Sequence, residues 1–281
     1  MPVFLRLSVT ALTFGILLAS AGAAFAGFGH PTPWEFDLQG SATPVMADIT
    51  RFNNFLFWIT TLIALFVMVL LIIVMIKFNA RANPVPSRTT HNTTIEVLWT
   101  VVPVLILVSI AVPSFRLLFY ELNVPKPDVT VQVTGKQWFW TYSYPKEKFQ
   151  FDSLMVQNKD LKAGQPRLLA VDNEMVVPVN KVVKVLVAGA DVIHSWSVPS
   201  FGVKIDAVPG RMNDTWFKAT RLGTYYGQCS QLCGRDHAFM PIAVRVVSEK
   251  DYAAWLAEAE KKFASSDAAR PTAVAAADTI K

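Results

Sequence analysis

Two long uncharged runs set the first part of the chain apart from everything after it. Phe55 to Ile76 is 22 residues without a charge, and Val97 to Phe115 is a second such run of 19. Each is long enough as a helix to cross a hydrocarbon core of about 30 Å. The pattern predicts a transmembrane hairpin over 55–120, with helices at about 55–77 and 95–120 and a loop over 78–94. Pro103 and Pro113 interrupt the second run. Proline is tolerated in a spanning helix where neighbouring helices satisfy the freed backbone groups, so this helix is expected to pack against others. Beyond residue 120 the period shortens. Val129–Thr134, Gln137–Tyr144, Lys181–Ala188, Ile193–Val198 and Pro241–Val247 are β-branched or aromatic and partly alternating, with Gly135, Gly164-Gln-Pro166 and Pro209-Gly210 between them. Such spacing predicts an all-β barrel or sandwich over 125–250. Glu249 to Phe263 has the periodicity of an amphipathic helix, placed at 251–263 beyond the β domain, and 264–281 reads as a flexible tail rich in Ala, Ser, Asp and Thr. The fold class is α+β: a membrane hairpin, then an all-β domain closed by a helix.

Composition and charge place these elements. With 52% hydrophobic residues and a mean hydropathy of +0.35, the 281-residue chain is too apolar for an ordinary soluble protein. Residues 1–26 have the form of a secretory signal: Arg6, an apolar run from Leu7 to Ala19, and Ala24-Phe-Ala26 as a small-x-small cleavage site. A retained N-terminal anchor is the alternative. The stretch 77–94 carries Lys77, Arg81 and Arg88 with no acid, whereas the N-terminal segment 27–54 carries Glu35, Asp37 and Asp48 against Arg51. Cytoplasmic loops are the basic ones, so the N-terminus and the β domain are expected in the periplasm of a bacterial inner membrane. A net charge of +5 and pI near 9.2 raise nucleic acid as a partner, but no basic helix or aromatic RNA-binding signature accompanies them, which excludes that class.

The chemistry concentrates in Cys229-Ser-Gln-Leu-Cys-Gly-Arg-Asp-His-Ala-Phe-Met240, which holds the only two cysteines of the chain. Thiolate, imidazole and thioether together form a soft ligand set that suits copper better than magnesium, calcium or zinc. A disulfide between Cys229 and Cys233 is the plainer reading in an oxidising compartment. A metal loop needs a further histidine. Of His30, His91, His194 and His237, His194 lies on a predicted strand 35 residues before Cys229, as in cupredoxins. A satisfied core histidine is the alternative there. Two thiolates four residues apart can bridge two copper ions, with His194 and His237 as imidazoles, Met240 as one weak axial donor and a loop carbonyl as the other.

These residues closely resemble subunit II of haem-copper cytochrome c oxidase. The likeness extends from Thr43-Pro-Val-Met46 to the final helix through Asp191-Val-Ile-His-Ser-Trp196, Val208-Pro-Gly-Arg-Met-Asn213 and Tyr225-Tyr-Gly-Gln-Cys-Ser-Gln-Leu-Cys-Gly234. It implies a cupredoxin-like domain with a dinuclear copper centre: His194 and Met240 complete one ion, and His237 and the carbonyl of Gln231 the other, across Cys229 and Cys233. Gly135-Lys-Gln-Trp-Phe-Trp-Thr-Tyr-Ser-Tyr144 matches the family's aromatic segment, making Trp138 the port for the electron from cytochrome c, while Trp140 and Tyr142 keep a packing role. His91-Asn-Thr-Thr-Ile-Glu-Val-Leu-Trp-Thr100 makes Glu96 the mouth of a proton path in subunit I; a helix N-terminal charge is the plainer alternative. The implied partners are subunits I and III, the bilayer, and cytochrome c or a membrane-tethered cytochrome. The chain itself is expected to carry no haem, since it lacks Cys-x-x-Cys-His.

Two departures from the family stand out. Gln231 replaces the usual glutamate, which keeps the carbonyl but puts a magnesium or manganese ion at the subunit I boundary in doubt. The acids beside the aromatic segment are sparse, leaving Asp160, Asp172, Glu174 and Asp191 as docking candidates. The rival readings are a nitric oxide or nitrous oxide reductase subunit, and a membrane-anchored copper chaperone.

Overall fold

The computed structural model describes residues 29–263, so the expected signal segment and tail lie outside the described residues. Helix α1 (Pro44–Lys77) begins eleven residues before the uncharged run. Thr43 starts it: the Oγ1 accepts from Met46 N at 3.0 Å and donates to Phe201 O at 2.8 Å, so one side chain both caps the helix and fastens it to the β domain. Pro44 at the first helical position and buried Val45 and Met46 complete that anchor. The polar residues from Asp48 to Asn53 therefore belong to a helical turn outside the hydrocarbon span, with Arg51 paired to Asp48 at 2.8 Å. Helix α2 (Thr93–Leu122) is capped by Asn92, whose side chain accepts from Ile95 N while Glu96 Oε1 accepts from Asn92 N, each at 3.3 Å. The apolar side chains of both spans face outward, as lipid or neighbouring membrane helices require.

Two five-stranded sheets form the domain beyond. One has the order β3 (Phe149–Ser153), β2 (Phe139–Tyr144), β1 (Val129–Lys136), β5 (Val183–Gly189), β8 (Asn213–Phe217). The other runs β4 (Met175–Pro178), β10 (Pro241–Val247), β9 (Gly223–Cys229), β6 (His194–Val198), β7 (Val203–Ala207). The pairs β1–β5 and β4–β10 are parallel and the rest antiparallel. Between the sheets lies an aromatic core that is also hydrogen-bonded. Tyr144 Oη donates to Val176 O at 2.8 Å and accepts from Val176 N at 3.0 Å, and Trp196 Nε1 donates to Tyr142 Oη at 3.3 Å, so each bond ties one sheet to the other. Helix α3 (Glu249–Phe263) covers β3 with Trp255 and Phe263, whose rings lie 5.9 and 6.3 Å from Phe149. Strand β8 is joined to the membrane end of α2 by Trp216 Nε1, which donates to Glu121 O at 3.0 Å. Strands β3, β4, β7, β8 and β9 were not among the predicted ones: β4 has only four residues and the sequences of β8 and β9 do not alternate, whereas β3 (Phe149-Gln-Phe-Asp-Ser153) and β7 (Val203-Lys-Ile-Asp-Ala207) do alternate and were missed.

Candidate metal centre

The loop between β9 and β10 and the start of β6 meet at one end of the sandwich. His194 opens β6 with its ring fully buried. Its place depends on Gly135 of β1, where a Cβ would stand only 2.9 Å from the imidazole Cδ2 and Cγ. Asp191 fixes the ring's rotation. Its Oδ1 lies 2.8 Å from His194 Nε2 and accepts from Val192 N at 2.7 Å, while Oδ2 accepts from Gln137 N at 2.7 Å. A carboxylate at Nε2 leaves the Nδ1 lone pair as the ligating one, the usual outer support of a metal-bound histidine.

The loop is held from three sides. Ser230 N donates to Ser195 O at 3.0 Å. Gln137 Nε2 and Trp138 Nε1 both donate to Cys233 O, at 2.8 and 3.3 Å, and Trp140 Nε1 donates to Met240 O at 3.2 Å. These bonds turn the donors toward one another. The two Sγ atoms are 3.9 Å apart, against about 2.05 Å in a disulfide, and both cysteines are free thiols. His194 Nδ1 is 4.0 Å and Gln231 O 3.3 Å from Cys229 Sγ; His237 Nδ1 and Met240 Sδ are each 3.5 Å from Cys233 Sγ. The ligand atoms of His194, Cys229 and Cys233 all lie within 4.8 Å of one another. Two thiols thus sit centrally, with two imidazoles, a thioether and a carbonyl around them, and that set fits copper.

Electrostatics separate the two thiols. Burial pushes Cys229 up, but hydrogen bonding by His194 and the Gln231 and Ser195 backbone outweighs it and holds the thiol down at about 6. Burial and then the neighbouring Cys229 charge push Cys233 up to about 12. Burial also lowers His194, yet its bonds to Cys229 and Asp191 win and leave it raised. Asp191, despite partial burial, is lowered chiefly by its bond to His194. One thiolate is therefore ready at neutral pH, while the second needs a cation to release its proton.

The remaining candidates fall in different places. Trp138 is half-buried beside the loop, with the Arg235 guanidinium 5.5 Å above its ring. It lines a surface cavity with Phe139, Asn158, Arg167, Asp236 and Phe239. Asp160 ends the short turn that begins at Asn158, itself a lining residue of this cavity. Asp172 and Glu174 line a separate cavity against α3, where Glu174 pairs with Arg245 at 2.8 Å. Asp191 is engaged with His194. Glu96 lies at the far end of α2, about 40 Å of helix from the β domain. Gly135 and Gln137 carry no metal-ligand chemistry, so ligand spacing alone did not single them out; their shared turn with Trp138 was the available sign.

Comparison with known proteins gives the same family from both halves of the chain. The cytochrome c oxidase subunit II periplasmic domain matches residues 129–247, and the transmembrane domain of that subunit matches residues 31–117. The probable cytochrome c oxidase subunit 2 of Rickettsia bellii is 49% identical over 254 residues, 90% of this chain and 93% of its own. Cytochrome c oxidase subunit 2 of Cereibacter sphaeroides is 47% identical over 267 residues, covering 87% and 88%. The crystal structure of the periplasmic domain of subunit II of cytochrome oxidase of Bradyrhizobium japonicum is 64% identical, spanning 50% of this chain and 99% of that one, with a TM-score of 0.48.

Proposed function

The chain belongs to the subunit II family of cytochrome c oxidase, and from that premise we propose that it is the electron-accepting subunit of a proton-pumping oxidase, built around two copper ions. Membership makes it a membrane subunit of a haem-copper oxidoreductase and implies copper binding. The observation that carries the finer reading is the convergence of six donors: two thiol sulfurs 3.9 Å apart, with His194, His237, Met240 and the Gln231 carbonyl around them.

Bound copper supplies a one-electron couple that two ions can share. The protein's part is to keep its ligands still. Asp191 and Gly135 hold the His194 ring, Ser195 O and the Gln137 amide hold the loop, and the β sandwich allows little to move when charge arrives. In our reading cytochrome c gives its electron over Trp138. The indole N–H bonded to Cys233 O provides a short path from the surface to a ligand residue. From there the electron goes to haem in subunit I, where oxygen is reduced to water. Proton uptake through Glu96 would draw on the carboxylate now closing the N-terminus of α2, with its remaining groups in subunit I. We place the basic 78–94 loop in the cytoplasm and the β domain in the periplasm, with residues 1–26 as its export signal. Gln231 offers a neutral amide where a hard dication prefers carboxylate, so this reading includes no magnesium or manganese ion. Asp160, beside the Trp138 cavity, is the best placed of the four acids to meet a basic partner.

Electron paramagnetic resonance of the copper-loaded chain tests the centre. One unpaired electron shared equally between two coppers is expected. A single-copper signal would overturn the dinuclear reading and favour a copper-delivery role.

A further inference from the structure

The two membrane helices leave a groove of about 700 Å³ between them at the end nearest the β domain. Arg51 and Arg116 face it together with Phe52, Phe55, Leu117 and Tyr120. Sequence position explains why two arginines meet there. Arg51 stands one turn before the uncharged run that opens at Phe55, and Arg116 is the first charge after the run that closes at Phe115. Because the helices are antiparallel neighbours, both cations mark one boundary of the hydrocarbon core.

Their pairing is incomplete. Arg51 is bonded to Asp48, but Arg116 is exposed and has no ion pair or hydrogen bond among the described residues. Two guanidinium groups against one carboxylate leave a single positive charge over an apolar floor. The rim is fixed, since Tyr120 packs edge-on against Trp216 at 5.4 Å and Trp216 is bonded to Glu121 O. A tyrosine at this depth is typical of the headgroup level. Guanidinium binds phosphate through paired N–H donors, and one phosphodiester carries the charge that balances the site.

We propose that this groove holds one glycerophospholipid, its phosphate between Arg51 and Arg116 and an acyl chain laid along Phe52, Phe55 and Pro113. The proposal needs only that the hairpin crosses a bilayer and is independent of the copper chemistry. A transmembrane helix of another oxidase subunit is the competing occupant.

The test uses the assembled oxidase in detergent, with a photoreactive residue placed as Leu117→p-benzoylphenylalanine. Irradiation should give a covalent adduct of phospholipid mass. Arg116→Gln and Arg51→Gln should each lower the adduct yield about fivefold, whereas Lys77→Gln, at the opposite boundary, should leave it unchanged. Cross-linking to a protein subunit, absence of a lipid adduct, or a yield indifferent to both arginines would each overturn the proposal. Copper content, measured on the same samples, should stay constant in all four variants.

Discussion

Replacing Gly135 by alanine tests whether β1 positions His194, the proposed copper ligand. The new methyl would stand 2.9 Å from His194 Cδ2 and Cγ and 3.0 Å from its Cβ, whereas ordinary contacts begin near 3.4 Å. Either the ring or the strand must yield by the difference, roughly 0.5 Å. The ring has little freedom: it is fully buried, the Trp140 ring lies edge-on 5.9 Å away, and Nε2 is held 2.8 Å from Asp191. The strand is fixed too, paired to Trp140 on one side and Gly189 on the other. Overpacking of this kind costs about 1–3 kcal/mol. For a domain of this size that lowers Tm by roughly 4–12 °C, read from tryptophan fluorescence of the metal-free chain. A ring turned away from Asp191 also loses its outer support, which typically lowers metal affinity about 10–100-fold, read by chelator competition. Unchanged Tm and unchanged affinity together would show that β1 gives way freely and that Gly135 has no positioning role.

Three further outcomes are expected. Titrating thiolate absorbance of the metal-free chain should reveal one thiolate with a midpoint at about 6 and none from Cys233 until about 12. Because Cys229 is lowered from 9.0, its contribution to stability is complete above that value and disappears as pH falls through about 6; denaturant midpoints that rise on acidification would contradict this. Met240→Leu conserves volume at a buried site and should cost less than about 1.5 kcal/mol, yet it should move the copper reduction potential; an unmoved potential would remove Met240 from the ligand set. Trp138→Phe keeps an aromatic ring but loses the bond to Cys233 O, so electron uptake from cytochrome c should slow while the copper spectrum stays the same.

Much of the architecture was legible because it rests on long-range regularities. Uncharged runs of 22 and 19 residues admit little besides two spanning helices. The early start of α1 was hidden by its polar turn from Asp48 to Asn53, which is helical because Thr43 and buried Met46 dock on Phe201 and its neighbours. Strand β9 was also hidden, since Gly223 and Gly227 weaken its pattern; Gly227 is there because a Cβ would collide with Ser197 O. In the candidate site, ligand types and spacings are local properties and could be read directly. Support is not local. Asp191 was grouped with docking acids by its charge, and only the fold brings Gln137 N and His194 Nε2 to the same carboxylate.

The order in which the sheets close has a consequence for biogenesis. All five strands of the β3-β2-β1-β5-β8 sheet precede residue 218, whereas its partner lacks two adjoining strands until β9 and β10 emerge. As the chain emerges, an aromatic face carrying Trp140, Tyr142 and Tyr144 therefore waits uncovered for the same late segment that brings both thiols. With the β domain in the periplasm, as proposed, the newborn chain is most vulnerable to aggregation at the moment its cysteines arrive unprotected in an oxidising compartment. Assembly factors that shield that face and keep the thiols reduced would have to act in the same short interval.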